Sequence, residues 1–190
     1  TENAKGTATG DPLNIVVIGE SDAVWPAFLR SGWDITATLS AGTALKTGLF
    51  GVFGGSYRYA PVSSLYVFER PQDIALQKVR SNIHYRNHLR LWLAPVTCNG
   101  ELVWLGQISR DIGVRFVWDL PPTTHKIDPD VDETREYLLE DLAYAQSLKA
   151  FGYVPGVGAA AFDEPRGNLT GDPYFTDGQR IVLFLSSEPT

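Results

Sequence analysis

The run His88-Leu89-Arg90-Leu91-Trp92-Leu93, followed by Asn99-Gly100 and a second stretch from Leu102 to Asp111, constrains this chain more than any other feature. Strict alternation of polar and apolar residues has a period of two, so the run is a strand with one leucine face. Asn-Gly accepts the positive φ of a type I′ turn and marks a two-residue hairpin loop. Counting outward from that loop sets a register in which Cys98 faces Glu101, Trp92 faces Gln107, Arg90 faces Ser109 and His88 faces Asp111. His88, Arg90, Trp92, Gln107, Ser109 and Asp111 are then expected on one face, with Leu91, Leu93 and Ile108 on the other. One side of the hairpin is made for a core. The other gathers ligand-type side chains.

Around this hairpin the pattern predicts an α+β fold: a mixed, largely antiparallel sheet, helices packed on one face, and a single domain over 12–190 after a polar linker or tail at 1–11. Leu13 to Gly19 reads as a buried strand. Ser21 or Asp22 would cap a helix carrying Trp25, Phe28 and Leu29 and ending at Gly32. A second helix is expected over Ala37 to Leu49, then a glycine-rich loop at Gly51-Val52-Phe53-Gly54-Gly55 leading to an extended Tyr57-Arg58-Tyr59, and a strand from Leu65 to Phe68. Asp128 as N-cap and Pro129 at the first helical position would open a long helix whose buried stripe is Val131, Leu138, Leu142 and Ala145, ending by Gly152. The stretch from Val154 to Gly178 is rich in Gly and Pro and long for an idle connector. Asp177-Gly178 turns into a last strand, Ile181 to Leu185.

Composition excludes several classes. At 190 residues and 44% apolar content the chain supports one full core, and its net charge of −6 with no basic tract argues against nucleic acid as a partner. The single cysteine, Cys98, rules out an internal disulfide and a cysteine-rich zinc cage. No apolar run reaches the ~18–20 residues needed to cross a bilayer. The chain begins without Met or a signal-like segment, so it is expected to be processed or excised from a longer protein. No P-loop, Gly-x-Ser-x-Gly elbow or His-Glu-x-x-His occurs. Asn168-Leu169-Thr170 matches the glycosylation sequon.

Two sets of residues carry candidate chemistry. His88 opposite Asp111 reads either as a base held by a carboxylate or as a solvated cross-strand ion pair. His125, Asp128, Asp130, Asp132 and Arg135 crowd the start of the long helix, where Asp128 also serves as a plain cap and the other acids complement the helix dipole. The spacing of the three aspartates is not that of an EF-hand, since Glu133 stands where Gly is required. Arg110 should pair with Asp128 or Asp132. The combined expectation is a composite pocket with His88, Asp111, His125 and Asp128 in catalytic roles and Arg90, Trp92, Ser109, Arg110 and Arg135 as ligand contacts. The residue types suit an anion site without metal or other cofactor better than a divalent metal centre built on the same histidines and aspartates.

Several stretches together resemble the LssY C-terminal domain family: Pro12-Leu13-Asn14-Ile15-Val16, Tyr66-Val67-Phe68 to Gln77-Lys78, His88 to Trp92, Trp104-Leu105-Gly106 to Gly113, Thr124-His125 to Arg135, and Gly171-Asp172-Pro173-Tyr174-Phe175-Thr176-Asp177-Gly178. The resemblance implies a shared fold and pocket, proximity to a membrane, and a cell-envelope or extracytoplasmic setting, but no reaction. The functional expectation is a hydrolase acting on a small phosphate-containing (anionic) or lipid-linked substrate. The alternative is a non-catalytic envelope module recognising a lipid headgroup, a glycan or a partner protein. The sequence sets no oligomeric state.

Overall fold

A computed structural model describes residues 1–36, 64–79, 86–116 and 123–190, without the side chains of residues 114–116 and 123–125. The helix expected at Ala37 to Leu49, the glycine-rich loop after it and Tyr57-Arg58-Tyr59 lie outside the described residues.

In chain order the elements are β1 (Ile15–Ile18), α1 (Ser21–Arg30), β2 (Asp34–Ile35), β3 (Tyr66–Val67), β4 (Arg70–Pro71), β5 (Ile74–Val79), β6 (Arg86–Cys98), β7 (Glu101–Phe116), β8 (Thr123–Ile127), α2 (Val131–Tyr144), β9 (Leu148–Pro155), β10 (Arg166–Gly167), β11 (Pro173–Tyr174) and β12 (Gln179–Leu185). The main sheet runs β2-β5-β6-β7-β1-β12-β9, with β8 paired to β7. Among the described strands only β1 and β12 run parallel, so the sheet is mixed and largely antiparallel, and the fold is α+β. One apolar cluster joins the inner residues of five strands (Ile15, Leu76, Leu89, Leu91, Ile108, Leu183 among them) to Val24 and Phe28 of α1 and Leu138 and Leu142 of α2. Gly106 sits where that cluster is tightest: a Cβ there would lie 2.8 Å from Ile15 Cβ and 2.9 Å from Leu91 Cδ2.

The hairpin forms with its turn at Asn99-Gly100, and Cys98 faces Glu101, but the deeper pairs differ from the expected ones. His88 faces Ser109, Arg90 faces Gln107 and Trp92 faces Leu105. The cause is an irregularity between Leu93 and Thr97, where β6 takes up two residues more than β7. Pro95 lies inside that interval and has no N–H for the ladder, which is where a bulge relieves the mismatch. A shift of two residues restores the pleat phase, so the partners change while the faces do not.

Other boundaries also move. Glu20, not Ser21 or Asp22, is the N-cap of α1, and Leu29 is 40% exposed while Ala23, Val24, Ala27 and Phe28 are buried. α2 starts at Val131 with Asp130 as N-cap, not at Pro129 after Asp128. Asp130 accepts from the N–H groups of both Asp132 and Glu133, whereas Asp128 is held to the strand by its own N–H bond to Arg110 O. α2 ends at Tyr144, before Gly152 as expected, and Leu148–Pro155 then pairs along the full length of β12. β5 is an additional strand with no forecast in the pattern. Residues 1–11, read as a tail, fold back: Glu2 bridges Thr9 and Tyr66, and the Thr1 ammonium donates to Asp11 O.

Candidate functional site

Three adjacent strands place the polar face. Successive rungs across β5, β6 and β7 read Ala75–Arg90–Gln107 and Gln77–His88–Ser109, with Arg86 and Asp111 beyond them on the same side. Arg86, His88, Arg90, Gln77, Gln107, Ser109 and Asp111 are all buried. A polar layer so far from water must be internally paired or hold a ligand or water.

In it His88 Nε2 lies 2.7 Å from Asp111 Oδ2. The pair anticipated across a rung is thus made on the diagonal. Arg90 Nη1 donates to Gln107 Oε1 at 2.7 Å, and Arg86 Nη1 donates to Gln77 Oε1 at a longer 3.5 Å. Each guanidinium turns an amide oxygen toward itself, so each amide nitrogen must face away. Gln77 Nε2 and Gln107 Nε2 are both buried and have no hydrogen-bond partner among the described residues. Burial lowers the Arg90 pKa to about 10, while Asp11 and Asp111 act to raise it. Asp11 itself has its carboxyl pushed up by burial, against the opposing pull of Asn168 and Arg90.

Trp92 shares this face but is fully buried, its Nε1 donating to Arg70 O at 3.3 Å. Arg110, one residue before Asp111, points to the opposite face by strand alternation. It binds Glu133 Oε1 at 2.7 Å and lies 3.5 Å from Asp128 Oδ2. The anticipated composite pocket therefore divides. His88, Arg90, Ser109 and Asp111 belong to the polar face, and Arg110 and Asp128 to the start of α2. His125 pairs with Val114 through its backbone, and its side chain lies outside the described residues.

Arg135 is the centre of another cluster. Its Nε donates to Glu136, Nη1 to Asp132, Asp177 and Gln179 O, and Nη2 to Asp177 and Glu136, which engages every donor the guanidinium has. Asp132 also accepts from Thr176 Oγ1 and Asp177 N. The geometry makes Arg135 the anchor that ties the 156–178 connection to α2, and leaves it no N–H for a ligand. Asn168 of the sequon is similarly engaged, donating to Asp11 and accepting from Thr170 and Asp172.

Gln77, Arg86 and Asp11 were missing from the sequence-based site. Gln77 lies on the unforecast strand β5. Arg86 precedes the alternating run, and nothing local distinguishes Asp11 from a tail residue. Among the described residues no group of three or more His, Cys, Asp or Glu side chains is placed to hold a metal ion, and no helix is long and apolar enough to cross a membrane.

The family model for the LssY C-terminus matches residues 1–179, and the chain belongs to that family. No curated protein and no solved structure matches it.

Proposed function

We propose that the polar sheet face is a binding site for a small anionic ligand and that the protein is a hydrolase of a phosphate-containing or lipid-linked substrate. In this reading both helices cover the leucine face, leaving the opposite face to the ligand. The observation that carries it is the surplus of buried donors: Gln77 Nε2 and Gln107 Nε2 lack acceptors beside two guanidiniums. An oxyanion brings several acceptor oxygens at once, and guanidinium and amide groups are its usual neutral-pH partners. Arg90 and Arg86 would orient the anion. His88, held by Asp111, would move the proton to or from the attacking water or the leaving group. Membrane proximity and an envelope setting follow from the family resemblance and would favour a lipid-linked substrate.

The test is calorimetric titration with inorganic phosphate and phenyl phosphate, alongside turnover of an aryl phosphate. The wild type should bind and turn over. His88→Gln should keep binding while turnover falls roughly 10²-fold, the usual contribution of a positioned acid or base. Arg90→Gln should weaken both. A wild-type protein that binds neither compound and releases no phosphate sinks the proposal. Binding without turnover would support the non-catalytic envelope module, which Phe68 and Val96, both about half exposed, favour as a separate contact surface.

A further inference from the structure

We infer that β9 is a self-association edge, pairing antiparallel with the β9 of a second copy so that two sheets join into one across a two-fold axis at Gly152. β9 closes one side of the sheet, with β12 as its only neighbour among the described residues. An edge strand leaves a row of backbone N–H and C=O groups available, and proteins usually blunt such edges with charge, proline or a covering element. Here the only charge is Lys149, near one end and bonded to Glu101, and the only proline is Pro155 at the other. The centre, Ala150-Phe151-Gly152-Tyr153-Val154, carries neither. Phe151 is 55% exposed, Val154 41% and Tyr153 38%, so the strand shows apolar side chains on both faces.

The strand is also complementary to itself. Directly opposed residues of an antiparallel pair point to one face, so the register positions must sum to an even number. Placing the axis at Gly152 sets Phe151 against the partner's Tyr153, and by symmetry Tyr153 against the partner's Phe151. Ala150 meets the partner's Val154. Two aromatic cross-strand pairs form, and such pairs are among the favourable ones in sheets. Phe151 and Tyr153 already stand edge to face at 6.4 Å, and Tyr153 is fixed by its hydroxyl bond to Glu136 and by the Arg135 guanidinium over its ring. The surface is thus ordered before it meets a partner. Gly152 suits the axis, because a Cβ built on it meets nothing within 4 Å. Pairing of two eight-residue edges covers roughly 500 Å² per copy, at the low end for specific interfaces, so the dimer should be reversible and micromolar.

Sedimentation of the 190-residue chain across a concentration series tests this, together with oxidative cross-linking in a Cys98→Ser background. The expected result is a concentration-dependent dimer that weakens at least about tenfold in Phe151→Glu, as loss of a central aromatic contact should. Phe151 lies outside the apolar core cluster, so that variant should keep its fold. Gly152→Cys should form a disulfide-linked dimer, since opposed Cα atoms fall within disulfide reach. Ala150→Cys should not, because its copy would stand ~14 Å away along the pair. A chain monomeric at every concentration overturns the inference. So does a dimer indifferent to Phe151→Glu, equal cross-linking at positions 150 and 152, or a monomer whose β9 edge takes up an extended peptide.

Discussion

Arg135 and Arg90 are both buried arginines set among carboxylates, yet their neighbourhoods differ in the respect that decides what each can do. Around Arg135, acceptors match donors: Asp132, Glu136, Asp177 and a main-chain carbonyl take up the whole guanidinium. On the face that carries Arg90 and Arg86, Gln107 and Gln77 turn their oxygens to the two arginines, and their nitrogens have no hydrogen-bond partner among the described residues. A closed network fixes a loop. A network with surplus buried donors has capacity left for acceptors from outside it, and the proposed site on the polar face rests on that difference. Density of His, Arg and Asp in sequence did not separate the two, because it counts groups without counting their partners.

The largest effect should come from breaking the closed network. Arg135→Ala leaves Asp132, Asp177 and Glu136 facing one another with no cation between them. Removing one side of a fully buried pair costs about 3–5 kcal/mol, and the partial solvent access of Asp177 and Glu136 lowers the expectation to about 2–3 kcal/mol. Urea unfolding would show the loss, and proteolysis should then begin within 156–178, the connection that Arg135 anchors. A variant as stable as the wild type would mean that the cluster is closed in geometry only.

The open network predicts the reverse balance. Gln77→Leu removes an unpartnered amide nitrogen and a long 3.5 Å contact to Arg86, so stability should change by less than about 1 kcal/mol. Phosphate affinity, in contrast, should fall roughly tenfold, the size of one hydrogen bond to a charged acceptor. Calorimetry and urea unfolding on the same variant give both numbers. A strong loss of stability with unaltered binding would assign Gln77 to the scaffold and erase the distinction from Arg135.

The composition of the polar face was legible in the sequence, its contrast with the Arg135 cluster was not, and the illegible part has definite causes. Alternation through His88–Leu93 and the Asn99-Gly100 turn told which residues share a face. It did so even though the register was off by two, since an even slip leaves faces unchanged. What alternation does not encode is a bulge, and the Pro95 that accompanies it is a weak signal by itself. The division of Arg110 from Asp111 follows from the same alternation, yet the expected pocket drew on both because they adjoin in sequence. Gln77 reaches the polar face by pairing with His88 and Asp11 reaches Arg90 by the return of residues 1–11, and no local pattern carries either. The sequence pointed to Asp128 as the cap of α2, but the backbone bond of Asp128 to Arg110 holds it to the strand and leaves the cap to Asp130.

The smallest effect is a difference in pH response, and Asp177 of the closed cluster should differ in sign from Asp11 of the polar face. In the closed cluster, the bond from Arg135 holds the Asp177 carboxyl below its ordinary value of 3.8. A depressed folded pKa contributes stability that is present above pH 3.8 and is lost as pH falls through the folded value. Beside Arg90, burial holds the Asp11 carboxyl above 3.8. That group binds its proton more readily when folded, so its contribution declines as pH rises from 3.8 through the folded value and then stays constant. Asp177→Asn should therefore flatten the acid limb of the stability curve, whereas Asp11→Asn should lift the curve on the neutral side of 3.8. Asparagine at position 11 still offers an oxygen to Asn168, so the change isolates the charge. Guanidinium unfolding midpoints from about pH 3 to pH 7 for both variants decide it. Curves that shift in the same direction would show that Asp177 and Asp11 titrate alike, and that only the unmatched glutamine donors set the polar face apart.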